Sequence, residues 1–209
     1  MGDETIKGSE GEEGDVRPLL TTDLDGSFER VVREYQGRLY RFALRYSASP
    51  QDAEEIVQDA FVRAYEALGR YEAARVRELS LTAWLYQIAL NVARNRARKK
   101  QAPQISLSAD PHDGDGGAAF PGGREPQDDA REGPEGQMDR AQGEERLAAL
   151  LATLPERYKT ALLLRYVEDL SYEEAAAVTK RPVGTMKSDV HRGLALLREA
   201  LVIRQGEVS

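Results

Sequence analysis

The sequence predicts an all-α protein: two small helical domains joined by a long acidic flexible linker, the second domain closing in a helix-turn-helix. Three observations carry this. Apolar residues recur at three- and four-residue steps through two segments, with no strand-like alternation. Stretches rich in glycine, proline and acid lie before and between those segments. A short capped helix, a tight turn and a longer helix follow one another near the end of the chain.

The chain has 209 residues and is 41% hydrophobic, enough for one or two domains with real cores. It holds no cysteine, so disulfides, thiolate nucleophiles and cysteine-ligated metals are excluded. No apolar run reaches the roughly 18 residues of a membrane span. The acidic start lacks the positive and apolar regions of a signal peptide, so a soluble, cytoplasmic protein is expected. Net charge is −7, but it is unevenly spread: −6 over 1–26, +5 over 27–100, −8 over 101–145 and +2 over 146–209. The segments that read as folded are basic and those that read as unfolded are acidic, a distribution compatible with binding nucleic acid.

Residues 1–26 have the composition of a disordered tail. The domain over 27–100 opens with Phe28, Val31, Val32, Tyr35, Leu39, Phe42, Ala43 and Tyr46 on one helical face. Ser49-Pro50-Gln51-Asp52 then supplies an N-cap, a proline at the first helical position and a first-turn acid. The helix that follows repeats Ala53, Ile56, Val57, Ala60, Phe61, Ala64, Tyr65 and Leu68 and stops near Gly69. A third runs from about Leu81, with Trp84, Leu85, Ile88, Ala89 and Val92 inward, into the basic run Arg94–Lys100. The linker, 101–145, cannot bury enough apolar area to order itself. As a flexible chain of about 45 residues it spans roughly 35–40 Å, enough to tether two domains to separate sites. The second domain, 146–205, has helices over Arg146–Leu154 and Glu156–Val167, broken at Pro155. A capping box at Ser171–Glu174 opens a short helix to about Thr179, and a last helix runs from about Val183 to Ile203.

Gly184, Thr185, Lys187, Ser188, His191 and Arg192 crowd the start of that last helix, where hydroxyl and basic groups can hold phosphates and reach base edges. The same residues also suit the polar face of any surface helix. The Arg94–Lys100 run can track a DNA backbone or simply complement a helix C-terminus. Trp84, with Tyr86 beside it, suits stacking on unpaired bases, but Trp84 also lies on the helix's apolar face, which favours core packing for that residue. Asn91 and Asn95, four apart and of low helix propensity, are base-reading candidates. Glu54, Glu55, Gln58 and Asp59 form an acidic patch inside a basic domain: solvated surface, or a docking face for a basic partner. Asp113–Gly117 mimics the start of a calcium loop, but Arg124 stands where its bidentate glutamate belongs. His112 and His191 are too far apart in sequence to read as a metal pair, no phosphate-cradling glycine loop is present, and no active-site constellation emerges. No cofactor is expected, and the chain does not read as an enzyme.

Two motif blocks carry a family resemblance. Ser49–Phe61 with Trp84–Ala89 resembles the second conserved region of extracytoplasmic-function (ECF) sigma factors of the sigma-70 superfamily. Leu154-Pro155-Glu156-Arg157, Tyr172–Ala176 and Pro182–Ser188 with His191-Arg192 resemble the fourth. The resemblance implies a bacterial protein that binds core RNA polymerase and promoter DNA and answers to an anti-sigma factor. It implies polymerase docking by Asp52, Glu55, Gln58 and Asp59, and reading of the minus-ten element by Trp84, Asn91, Arg94, Asn95, Arg98 and Lys99. It further implies reading of the minus-thirty-five element by Arg181, Pro182, Val183, Gly184, Thr185, Lys187, Ser188, His191 and Arg192. The linker would thread through the polymerase, where its acidity could mimic nucleic acid.

The chain departs from the family in three places. Asn95 replaces a frequent aspartate, the linker is long and acidic, and Asp189 stands where arginine is usual. An acid there is unfavourable near phosphate unless it accepts from a cytosine amino group or pairs with a neighbouring cation. A stand-alone helix-turn-helix regulator would explain 146–209 but leave the Ser49–Phe61 and Trp84–Ala89 blocks without a purpose.

Overall fold

A computed structural model describes residues 15–101 and 147–206, and every regular element among them is helical. The linker expected at 101–145 and the calcium-loop mimic within it lie almost wholly outside the described residues, as do residues 1–14.

The first domain comprises α1 (Arg17–Leu20), α2 (Leu24–Ser47), α3 (Pro50–Leu68), α4 (Ala73–Glu78) and α5 (Leu81–Gln101). Local chemistry sets its boundaries. The Asp23 carboxylate accepts from the Gly26 amide at 3.1 Å to start α2, and the Ser49 hydroxyl accepts from the Asp52 amide at 3.2 Å to start α3. The C-cap Ala48 ends α2 in the left-handed region at φ 57°. Gly69 ends α3 with an ordinary right-handed φ of −63°, so its conformational freedom is not used there. The apolar stripes point inward as their spacing requires: Leu39, Phe42, Ile56, Leu85 and Leu90 are almost wholly buried. Each such side chain contributes about 1.5–3 kcal/mol on burial. Phe42 meets the Tyr86 ring edge-on at 5.4 Å.

Two features of this domain differ from the sequence reading. The tail expected over 1–26 gives way to structure by Asp15: Leu20 is buried, Thr21 and Thr22 hydroxyls cap backbone carbonyls, and Arg17 Nη1 donates to the Leu79 carbonyl at 3.3 Å. Val16, Leu20 and Leu24 join the core, an apolar cluster that the segment's net charge concealed. Helix α4, not expected, inserts only Val76 into the core. One buried residue in six gives no periodicity to read.

The second domain runs through α6 (residues 147–153), a bend at Leu154-Pro155 and α7 (Glu156–Leu162), which widens into a π turn over Leu163–Val167. It ends with α8 (Tyr172–Thr179) and α9 (Val183–Gly206). The π turn replaces the uninterrupted helix expected to Val167. It turns both Leu163 and Leu164 fully inward and closes with Glu168 N donating to the Leu163 carbonyl at 3.0 Å. The capping box forms as expected: Glu174 N donates to Ser171 Oγ at 3.1 Å and Ser171 N to Glu174 Oε2 at 2.8 Å. Helices α7 and α9 pack so closely that a Cβ on Gly193 would lie 3.0 Å from Leu162 Cγ.

The two domains share one continuous apolar core, with α5 against α8 and α2 against the π turn. Polar groups cross the seam. Tyr86 donates its hydroxyl to Glu168, and Lys159 Nζ donates to the Tyr46 carbonyl at 2.8 Å. Gln87 Nε2 donates at 2.9 Å to the Ala177 carbonyl at the end of α8.

Candidate nucleic-acid interface

The start of α9 divides cleanly by exposure. Gly184, Thr185, Lys187, Ser188, His191 and Arg192 are exposed, whereas Met186, Asp189 and Val190 turn inward. That inward set follows helical spacing and continues to Gly193, so the core fixes the rotation of the helix and thereby which side chains face outward. Pro182 is exposed, and Arg181 and Val183 are half-buried. Ser188 Oγ donates back to the Gly184 carbonyl at 2.9 Å, and Lys187 Nζ lies 5.5 Å from the centroid of the Tyr172 ring. Nothing stands within 4 Å of a Cβ placed on Gly184, so the fold itself does not require glycine there.

Asp189 is fully buried, and its two carboxylate oxygens take different arginines. Arg157 Nη2 of α7 donates to Oδ1 at 2.7 Å, and Arg181 Nη1 of the α8–α9 turn donates to Oδ2 at 2.7 Å. The departure at Asp189 therefore resolves as an ion-paired carboxylate out of reach of any base. An acid inside an apolar stripe at three- and four-residue spacing was the available signal for a buried cationic partner. Its partners, 8 and 32 residues away, were not legible.

On α5, Asn91, Arg98 and Lys99 are exposed and Arg94 and Asn95 half-buried. Arg98 donates to the Asn95 side-chain oxygen, and Arg94 Nε donates to Glu156 Oε1 of α7 at 2.9 Å. Burial pushes the Glu156 carboxyl upward, but the hydrogen bond and charge of Arg94 outweigh it and leave the group below the usual range. Trp84 is half-buried with its ring 6.0 Å from that of Tyr71, which favours packing over base stacking for this residue. Tyr86 is fully buried among Phe42 and Glu168, so it forms no stacking platform.

The acidic patch is occupied by the domain's own cations. Arg96 pairs with Glu55 and lies 3.8 Å from both Asp52 and Asp59, while Lys100 Nζ lies 2.6 Å from Asp52. The Lys100 ammonium holds the Asp52 carboxyl below the usual range. Gln58 is exposed. The basic run Arg94–Lys100 thus splits: Arg96 and Lys100 turn to α3, Arg94 to α7, and Arg98 and Lys99 to solvent. Among the described residues, no group of three His, Asp or Glu is arranged to hold a metal, and no helix is long and apolar enough to cross a membrane.

Comparison with known proteins gives this geometry a context. Residues 31–102 match the family described as sigma-70 region 2, and residues 144–197 match sigma-70 region 4. The chain is 34% identical over 177 residues to the RNA polymerase sigma-H factor of Pseudomonas aeruginosa, covering 84% of this chain and 86% of that one. It is 30% identical over 178 residues to the ECF RNA polymerase sigma-E factor of Escherichia coli K12, covering 84% of each. Its fold is that of CnrH, solved in complex with the cytosolic domain of CnrY, with a TM-score of 0.63 at 21% identity over 90% of this chain and 99% of that one. RpoE of Bartonella quintana, solved with the anti-sigma factor NepR, gives 0.57 at 24% identity over 84% and 97%. The chain belongs to the ECF group of the sigma-70 family of RNA polymerase sigma factors.

Proposed function

We propose that this sigma factor docks on bacterial core RNA polymerase through α3 and brings two DNA-reading surfaces to one promoter. The start of helix α9 and the turn before it read the minus-thirty-five element through Arg181, Pro182, Val183, Gly184, Thr185, Lys187, Ser188, His191 and Arg192. Helix α5 reads the upstream edge of the minus-ten element through Asn91, Arg94, Asn95, Arg98 and Lys99, with Trp84 supporting that surface from the core. Asp52, Glu55, Gln58 and Asp59 dock on the polymerase, which must displace or share the Arg96 and Lys100 pairs to reach them. The observation that carries the reading is the outward set at the start of α9: two hydroxyls, a lysine, a histidine and an arginine on one exposed face, held in rotation by the buried Met186, Asp189 and Val190. The protein has no catalytic role of its own in this reading. It acts in the cytoplasm with the polymerase, and an anti-sigma protein holds it in reserve, as the partners of CnrH and RpoE suggest.

The test is run-off transcription with purified bacterial core polymerase on promoters enriched by binding. The expected result is transcript that depends on this chain and co-elution of the chain with core. Absence of both would overturn the reading and return the chain to the class of stand-alone DNA binders.

A further inference from the structure

The geometry points to Asp189 as a positioning residue: its buried carboxylate presets Arg157 and Arg181 as a pair of DNA-backbone phosphate contacts and itself reads no base. The inference rests on the DNA-reading role proposed for α9. Asp189 is fully buried and its side chain is 1% exposed, while the paired Arg157 and Arg181 side chains are 44% and 35% exposed. Each guanidinium gives one N–H to the carboxylate at 2.7 Å and keeps four for another acceptor. One carboxylate between two guanidiniums leaves a net positive charge at the surface.

The three residues come from three places: α7, the α8–α9 turn and the second turn of α9. The carboxylate therefore ties two backbone segments to the recognition helix and fixes where both cations stand before DNA arrives. A long arginine side chain ordered in advance loses less freedom on binding. Planar, forked guanidinium groups suit phosphate oxygens better than a point charge does. Arg157 also lies 4.6 Å from the centroid of the Tyr158 ring, which limits its swing further. A base-reading aspartate would need an exposed carboxylate, and this one has neither surface nor a spare oxygen.

The experiment uses the full chain and a promoter-free duplex of about 25 base pairs, with affinity measured by fluorescence anisotropy across a salt series. R157Q and R181Q are each expected to weaken binding severalfold and to reduce the slope of log affinity against log salt by about one. D189N is expected to weaken binding about tenfold, and adding R181Q to it should weaken binding little further, because the two act as a unit. The Nη signals of Arg157 and Arg181 in nitrogen-15 spectra should move toward free-arginine positions in D189N, whose asparagine can still accept from only one of them. Unchanged affinity in a folded D189N, or unchanged slopes in both arginine variants, would overturn the inference. A change of preference at a single base pair in a randomised promoter library bound by the holoenzyme would overturn it in favour of base reading. Should D189N fail to fold, the arginine variants, each leaving one guanidinium on the carboxylate, decide alone. Run-off transcription by the wild-type chain tests the sigma reading separately, since the salt slopes need no polymerase.

Discussion

Gly184 is a residue whose glycine the fold alone does not require. It sits in the first turn of α9, exposed, with open space where a Cβ would stand. Glycine in a helix costs up to about 1 kcal/mol relative to alanine. G184A should therefore stabilise the free protein by about 0.5 kcal/mol in chemical unfolding while weakening binding to promoter DNA, because the added methyl meets the approaching sugar-phosphate backbone. A variant that gains stability and keeps its DNA affinity would show that no close approach occurs there. Gly193 in the same helix is the opposite case, since Leu162 already occupies the space its Cβ would need.

At the scale of the element, periodicity and capping chemistry were legible wherever a helix carried a long apolar stripe. Ser49 and Ser171 cap as their neighbours dictate, and α2, α3, α5 and α9 begin within a few residues of their expected starts. Helix α4 and the π turn were not legible, because six residues carry no period and the run Leu162–Leu164 hides a one-residue shift of register. The candidate site was legible on α9, where polar residues cluster at a helix start. It was less legible on α5 and α3, because Arg94, Arg96 and Lys100 take partners up to 62 residues away, and no local pattern encodes those. The turn between α8 and α9 is made by Lys180 in the left-handed region, φ 54° and ψ 43°, with Arg181 N donating to the Ala176 carbonyl at 3.0 Å. That conformation costs a non-glycine residue about 1–2 kcal/mol. Part of this gain is offset because glycine also frees the unfolded chain. K180G should thus raise stability by about 0.5–1 kcal/mol, read as an upward shift of the urea midpoint with unchanged slope. A downward shift would mean that the lysine side chain contributes more than its backbone strain costs.

For the whole molecule, the seam between the domains turns on Glu168. Its carboxyl is buried, accepts from Tyr86 through one oxygen and leaves Oε1 without a hydrogen-bond partner. Burial pushes the group above the usual glutamate range, and the Tyr86 hydroxyl and the charges of Arg38, Arg41 and Arg45 on α2 only partly oppose this. A carboxyl whose folded value exceeds its unfolded one stabilises most in its protonated form. Its contribution is complete below the ordinary glutamate range and is lost as pH rises through the raised value. Glu156, held below its usual range by Arg94, has the opposite sign, and Lys159 is pushed down by burial. Lowering the pH from neutral toward the glutamate range should tighten domain packing, seen as a smaller radius of gyration in solution scattering and a higher melting temperature. E168Q keeps an acceptor for Tyr86 and removes the charge, so at neutral pH it should already be as compact as the acidified wild type and respond little to further acid. Because Arg94 of the proposed minus-ten surface is held by α7, and Gln87 on the same helix by α8, E168Q should also compete less well for DNA bound through α5. An E168Q variant that opens at neutral pH, or keeps the wild-type pH response, would place control of the seam elsewhere.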